Sequence, residues 1–239
     1  MSYFDNKTVL VTGGTGFIGT NFVKELSKFN VKIIVPVHKR KLSFKSEKIQ
    51  TIEADLANID DCLKICQNVD YIFHAAGMVS AARMTVNNPM TAISTNLVVT
   101  LKILEAAMKK NVKKILLFSS GTTGYPPYNH AVTEDEMFSE DPAEIYYGYG
   151  WSRRYTEILG NFASQKSDLK VAICRPTGVY GPYDDFDPST SHVIPALIKR
   201  AIDKENPYFV WGSGEEIRDF LHVRDLVQGC FLLLEKQTN

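Results

Sequence analysis

Thr12-Gly13-Gly14-Thr15-Gly16-Phe17-Ile18-Gly19 lies between two segments of opposite texture, and its reading decides the fold. Before it, Lys7 to Thr12 (KTVLVT) is a short β-branched run. After it, Phe17, Ile18, Phe22, Val23 and Leu26 recur at helical spacing. Strand, glycine turn and helix in that order, joined by T-G-x-x-G-x-x-G, form the context that a dinucleotide-binding turn requires. Gly13 permits the tight turn, Gly16 lets the backbone approach a pyrophosphate, and Gly19 lets helix and strand pack closely. The helix N-terminus offers free N–H groups and its positive dipole end to the anion, with Thr15, Phe17 and Ile18 in the same cradle.

The alternation continues outward from this turn. Val31 to Val37 reads as a buried strand, Ile59 to Cys66 as a short helix, Tyr71 to Ala75 as a strand, Ala92 to Lys109 as a helix and Lys114 to Ser119 as a strand. Ser152 to Ser164 follows as a helix and Val171 to Arg175 as a strand. Continuous apolar strands separated by helices predict an α/β, Rossmann-type, doubly wound parallel sheet covered on both faces. Past residue 175 the texture changes, because Pro176, Pro182, Pro188 and Pro195 interrupt the chain. The expected division is a dinucleotide-binding domain over residues 1–175 and a small, partial substrate lobe over 176–239. That lobe is read as helix Val193 to Asp203, strand Tyr208 to Trp211 and helix Asp225 to Leu234.

Composition narrows the function. The 239 residues carry 27 Lys+Arg against 27 Asp+Glu, a net charge of zero that argues against binding nucleic acid through counterion release. Met1 to Lys7 is polar, no uninterrupted apolar run reaches the roughly 18 residues of a membrane span, and the expected location is the cytoplasm. Cys62, Cys66, Cys174 and Cys230 have neither disulfide-framework nor zinc spacing, so they read as buried apolar residues and no metal is expected.

The second strand runs into His38-Lys39-Arg40 rather than the acidic residue that usually binds the ribose 2′-hydroxyl of NAD. Cations there suit a 2′-phosphate, which favours NADP with NAD as the alternative. A solvated loop is the competing reading, since Lys41 and Lys45 extend the charge run.

These motifs, with Asp55-Leu56, His74-Ala75-Ala76-Gly77, Asn96, Ser119-Ser120, Tyr149-Gly150-Trp151-Ser152, Arg175-Pro176 and Tyr180-Gly181-Pro182 in order along the chain, resemble the extended short-chain dehydrogenase/reductase family. These are the NAD-dependent epimerases, dehydratases and reductases of nucleotide sugars. The resemblance implies that Asp55 and Leu56 lie beside the adenine and that Ala75, Ala76 and Gly77 run along the cofactor. Asn96, Ser119 and Pro176 complete the implied cofactor set with His38 and Arg40. Within the family, Ser191 to Arg200, Val210 to Gly214 and Arg218 to Val223 look most like the GDP-fucose synthase-like enzymes. That likeness implies a GDP-linked sugar with Arg200 and Arg218 on its diphosphate, Trp211 in the nucleotide pocket, Ser120 and Val193 beside the substrate, and His192 as an acid near the sugar. It also implies a homodimer through helices Ala92 to Lys109 and Ser152 to Ser164.

The family's reactive residue is expected at Tyr149, as acid and base in hydride exchange at a sugar carbon. Its usual Lys four positions on is Arg153 here, and the usual Ser or Thr of the preceding loop is Gly121, which leaves Ser120, Thr122 or Thr123 to supply a hydroxyl, with Thr122 first. The Cys base of GDP-fucose synthase-like enzymes falls at Thr123, which does not ionise near neutral pH. Family members also usually run several tens of residues further, so the lobe reads as truncated or cut down. Two functions follow: an NAD(P)-dependent nucleotide-sugar epimerase or oxidoreductase, or a catalytically weak or silent subunit that binds NADP and a nucleotide sugar.

Overall fold

The computed structural model describes residues 2–78, 89–187, 190–210 and 212–237. Six parallel strands form the main sheet: β1 (Thr8–Thr12), β2 (Lys32–Val37), β3 (Ile49–Glu53), β4 (Tyr71–His74), β5 (Lys114–Phe118) and β6 (Lys170–Cys174), in the order β3-β2-β1-β4-β5-β6. The order reverses between β1 and β4. At that switch point the connections leave in opposite directions, and in sheets of this kind ligands bind beyond the carboxyl ends of the strands there.

The α-helices among the described residues are α1 (Phe17–Leu26), α2 (Ile59–Ile65), α3 (Pro89–Lys109), α4 (Tyr147–Lys166), α5 (Val193–Ile202) and α6 (Val223–Lys236). Alternate residues of one strand go to opposite faces, so each strand feeds two cores. Val9, Val11, Ile33, Val35 and Phe73 pack with Phe22 and Leu26 of α1 and Leu226, Val227 and Phe231 of α6. Leu10, Ile34, Ile72, Ile115 and Leu117 pack on the other face with Ile65 of α2, Ile103 and Leu104 of α3 and Ala163 of α4. The doubly wound parallel sheet expected from the sequence is therefore observed.

Met90–Lys109 of α3 is the one described stretch long and apolar enough to cross a membrane, a length the apolar-run criterion had missed. In this fold it is a core helix, with Ala92, Asn96, Val99, Thr100, Ile103 and Ala107 buried. Cys62 and Cys66 are buried as expected, and burial pushes their thiols up to about 11 and about 12.

Two expectations are corrected, and a strand pair not read from the sequence is added. Helix α4 starts at Tyr147, five residues before the expected Ser152, which places Tyr149 in its first turn. Residues 208–210 form no strand. A separate parallel pair, β7 (Gly178–Tyr180) and β8 (Phe220–His222), brackets the C-terminal segment instead, because each finds its partner across some forty residues of chain.

Candidate active site

The glycine turn is crowded to the limit of what glycine allows. Gly13 has φ +67°, and a Cβ there would lie 2.6 Å from the Ala75 carbonyl oxygen. A Cβ on Gly19 would lie 2.1 Å from the Gly13 carbonyl oxygen. Gly16 caps α1 without any side-chain hydrogen bond, and the first turn holds no acidic residue. The N–H groups of Phe17 and Ile18 and the positive dipole end thus remain for an anion. A dinucleotide pyrophosphate fits this cradle on geometry and charge. Thr15 is half-buried in the same turn.

Around the cradle, His38, Lys39 and Arg40 are exposed beyond β2, while the loop carrying them is anchored by Leu42 and Phe44 against the α1-side core. Asp55 is exposed, with one carboxylate oxygen accepting the Ala57 N–H at 2.9 Å, and Leu56 packs on the α2-side core. Beneath the turn, Thr12 Oγ1 lies 2.8 Å from His74 Nδ1, and His74 Nε2 lies 3.2 Å from Thr100 Oγ1. Burial drives the His74 ring down to about 4, so it is neutral at ordinary pH and braces β4 against β1 and α3. Ala75, Ala76 and Gly77 follow directly, with the Ala76 N–H donating to Thr12 Oγ1 at 3.3 Å.

Asn96 does not point a free amide at this groove. Its Oδ1 accepts the Met78 N–H at 2.7 Å and its Nδ2 donates to the Met78 carbonyl at 2.9 Å. That carbonyl is a hub, because Tyr149 Oη donates to it at 3.3 Å and Arg153 Nη2 reaches it at 3.5 Å. The Arg153 Nη2 also donates to Tyr149 Oη at 2.5 Å, with the guanidinium 4.9 Å from the tyrosine ring centroid. Four residues make one helical turn, which is why positions 149 and 153 meet on a single face. Sequence reasoning missed Met78, since a backbone carbonyl leaves no mark on residue type.

After β5, Ser119 Oγ donates to the Arg153 carbonyl of α4 at 3.3 Å. Ser120 is buried, and its Oγ lies 2.8 Å from Thr123 Oγ1 but 3.5 Å from Thr122 Oγ1, whose residue is exposed. Gly121 donates its N–H to the Pro176 carbonyl at 2.8 Å, and a Cβ there would lie 2.8 Å from both the Arg175 and Pro176 carbonyl oxygens. Arg175 is consumed structurally, bidentate to the buried Glu157 at 2.8 Å and 2.8 Å and bonded to Tyr125 Oη at 3.0 Å.

The C-terminal candidates are more scattered. His192 caps α5, and both it and Val193 are exposed. Arg200 donates to the Phe209 carbonyl at 2.6 Å and lies 3.4 Å from Glu205, so it is tied to its own lobe. Arg218 is exposed, and Trp211 lies outside the described residues. The described residues hold no cluster of metal-binding side chains.

The same architecture recurs in known proteins. A dTDP-4-dehydro-6-deoxy-D-allose reductase of Streptomyces bikiniensis is 29% identical over 238 residues, covering 96% of this chain and 73% of that enzyme. A UDP-glucose 4-epimerase of Mycoplasma genitalium is 31% identical over 245 residues, covering 94% of this chain and 70% of its own. The solved structure of a UDP-N-acetylglucosamine 4-epimerase from Methanobrevibacter ruminantium, in complex with UDP-N-acetylmuramic acid, superposes with a TM-score of 0.85 at 29% identity, over 98% of this chain and 75% of that one. With the family profile matching residues 9–239, the chain belongs to the NAD dependent epimerase/dehydratase family.

Proposed function

We propose that this chain is an NAD(P)-dependent epimerase, reductase or dehydratase of nucleotide sugars in which Tyr149 moves the proton. The contact between Tyr149 Oη and Arg153 Nη2 carries the reading, because it sets a cation on the phenol at the Met78 carbonyl, just past the Ala75–Ala76 segment that packs on Gly13. A guanidinium at hydrogen-bond distance stabilises negative charge that develops on the phenol oxygen as the proton moves. The Tyr149 proton rests on the Met78 carbonyl; Arg153 reaches the same carbonyl and can hold it when the phenol turns to a sugar oxygen. The nicotinamide cofactor, when bound, supplies or takes up hydride. We assign the loop hydroxyl to Thr123, paired with buried Ser120, in preference to exposed Thr122.

NADP is the favoured cofactor, supported by the exposed His38, Lys39 and Arg40 after β2. In the substrate lobe, residues 176–239, His192, Val193, Arg200, Trp211 and Arg218 are assigned to a nucleotide diphosphate sugar, GDP-linked by the likeness of residues 191–223, with Ser120 beside it. Exposed Trp151, Tyr155, Ile158 and Phe162 recur every three or four residues along α4, beside exposed Val98 and Leu101 of the adjoining α3. This apolar stripe supports a homodimer through the two helices. The four free cysteines support a reducing cytoplasm.

The second reading, a weak or silent binding subunit, is favoured by Gly121, where the Arg175 and Pro176 carbonyls leave no room for a serine side chain. Transfer of a carbon-bound deuterium from a panel of GDP-, UDP- and dTDP-sugars to NADP⁺ separates the two. An enzyme gives turnover that Tyr149→Phe lowers roughly 10²- to 10⁴-fold, whereas a silent subunit binds NADPH by calorimetry and transfers nothing.

A further inference from the structure

One residue beyond Arg153, helix α4 buries a second guanidinium. Arg154 is 0% exposed, its Nε donates to the Gly124 carbonyl at 2.8 Å, and its Nη2 has no hydrogen-bond partner among the described residues. Trp151 and Phe138 lie against it, with ring centroids at 4.7 and 5.6 Å. Burial lowers its proton affinity, opposed by the charges of Asp141 and Glu157. A buried, incompletely paired cation is costly, and a leucine or methionine would fill the same space without that cost.

The carbonyl that Arg154 grips closes the turn carrying the loop hydroxyls. Within that turn Thr123 donates its N–H to Ser120 Oγ at 3.0 Å and Tyr125 its N–H to the Thr122 carbonyl at 3.1 Å. Gly150 of α4 lies under the same turn, where a Cβ would stand 2.3 Å from the Thr123 carbonyl oxygen. Residues 149–154 therefore touch the hydroxyl turn at two points while presenting Tyr149 and Arg153 to the groove.

We propose that Arg154 is a positioning residue that fixes the Ser120–Thr123 hydroxyl pair relative to Tyr149 through the Gly124 carbonyl. The inference rests on the reading of Tyr149 given above only for its effect on rate. The geometric part is tested by amide hydrogen exchange on the full chain. Arg154→Met should raise exchange at Thr122, Thr123 and Tyr125 at least tenfold while residues 156–166 stay protected. Arg154→Gln, which restores a neutral donor, should return it to within threefold of wild type. Exchange rising throughout α4, or at no position, overturns the proposal. If the Met variant does not fold, Arg154→Leu, which also lacks the Nε donor, is measured in its place and decides by the same criterion. With turnover in hand, kcat should fall tenfold or more in Arg154→Met while KM and NADPH affinity hold within twofold, and Arg154→Gln should recover most of kcat. An equal loss in kcat and in NADPH affinity overturns the catalytic part. A wild type without turnover sinks the assigned activity but leaves the exchange result standing.

Discussion

The region of the glycine turn and residues 193–220 bury their apolar side chains to very different degrees. Around β1, α1 and β2, Val9, Val11, Phe22, Val23, Leu26 and Ile33 are all 0% exposed. In the segment after β6, Ile202, Phe209, Val210 and Ile217 are 70, 59, 59 and 97% exposed. The cofactor half closes on itself, so its cradle has a shape before any ligand arrives. Residues 193–220 leave large apolar side chains uncovered by the described residues, and the side chains proposed to bind substrate there are correspondingly dispersed. Preorganisation lowers the cost of binding, so the first half should show its function as affinity and the second only when something packs on it.

The sharpest way to break this contrast is to substitute one glycine in each half. Gly19→Ala pushes a methyl to 2.1 Å from the Gly13 carbonyl oxygen, whereas Gly214, at φ +90°, has nothing within 4 Å of its would-be Cβ. Opening the cradle removes two or more charge-assisted contacts of about 1.5 to 3 kcal/mol each, so NADPH affinity should fall by roughly 10²-fold or more. Gly214→Ala should leave it unchanged and cost stability by only about 1 kcal/mol, from the strained φ. Calorimetry and chemical denaturation of both variants check this. Equal losses of NADPH affinity would mean that the cradle is no more preorganised than the C-terminal segment.

The second test is acid. His74 is held down to about 4 by burial, with the Arg153 charge adding to it, against an ordinary value near 6.5. The unfolded chain therefore takes up this proton more readily than the folded one. Its contribution is fully present above about pH 6.5 and is lost as pH falls toward 4, by about 3 kcal/mol in total. Urea titrations between pH 7 and 4 should show that slope, and His74→Gln should flatten it. An unchanged slope in the variant would assign the acid sensitivity to other groups.

Legibility from sequence follows the same divide. Helix α1 matches its expected bounds, Phe17 to Leu26, because glycine turn, periodicity and packing face all agree there. Helix α4 is expected to start at Ser152 but starts at Tyr147, with Gly148 and Gly150 in its first turns. Gly150 is there to make room for the Thr123 and Pro142 backbone and ring, a tertiary demand invisible along the chain. The expected strand at Tyr208 to Trp211 is an apolar run, and over residues 208–210 it finds no strand to pair with among the described residues. The true strands, Gly178–Tyr180 and Phe220–His222, are three residues each and too short for a period to register. Among site residues, the glycines and the Tyr149–Arg153 pair were legible as spacing. The Met78 hub and Arg154 were not, since one is a carbonyl and the other depends on which loop folds over it.

The third prediction returns to the basic run. If His38, Lys39 and Arg40 meet a 2′-phosphate, Lys39→Ala with Arg40→Ala should lower the NADPH to NADH affinity ratio by roughly ten- to a hundredfold, the value of one charged contact. An unchanged ratio by fluorescence titration would leave them as a solvated stretch on a loop held by Leu42 and Phe44.

The smallest expected effect lies where the two halves touch. Lys24, on the outer face of α1, sits with its ammonium 5.6 Å from the Phe44 ring centroid and 4.6 Å from that of Tyr183, and it donates to the Tyr183 hydroxyl. One turn earlier, Asn21 Nδ2 donates to the Pro182 carbonyl at 2.9 Å. Tyr183 holds φ +73°, an unfavourable region for a bulky residue, so these contacts must offset local strain. A cation over an exposed ring stabilises by about 0.5 to 1 kcal/mol, so the tie is weak by itself. It nevertheless spans the loop that carries the basic run, the cofactor helix and the first loop of the substrate half. Lys24→Met should therefore leave NADPH affinity within about twofold and weaken a nucleotide sugar by roughly two- to fivefold, in proportion to that energy. Calorimetry of the sugar with and without saturating NADPH gives the sharper reading. Linkage is reciprocal, so if the tie transmits anything, the factor by which NADPH improves sugar binding must shrink in the variant. A loss of the same size in both titrations would mean that Lys24 only steadies Tyr183, and that the closed half and the open half bind their ligands independently.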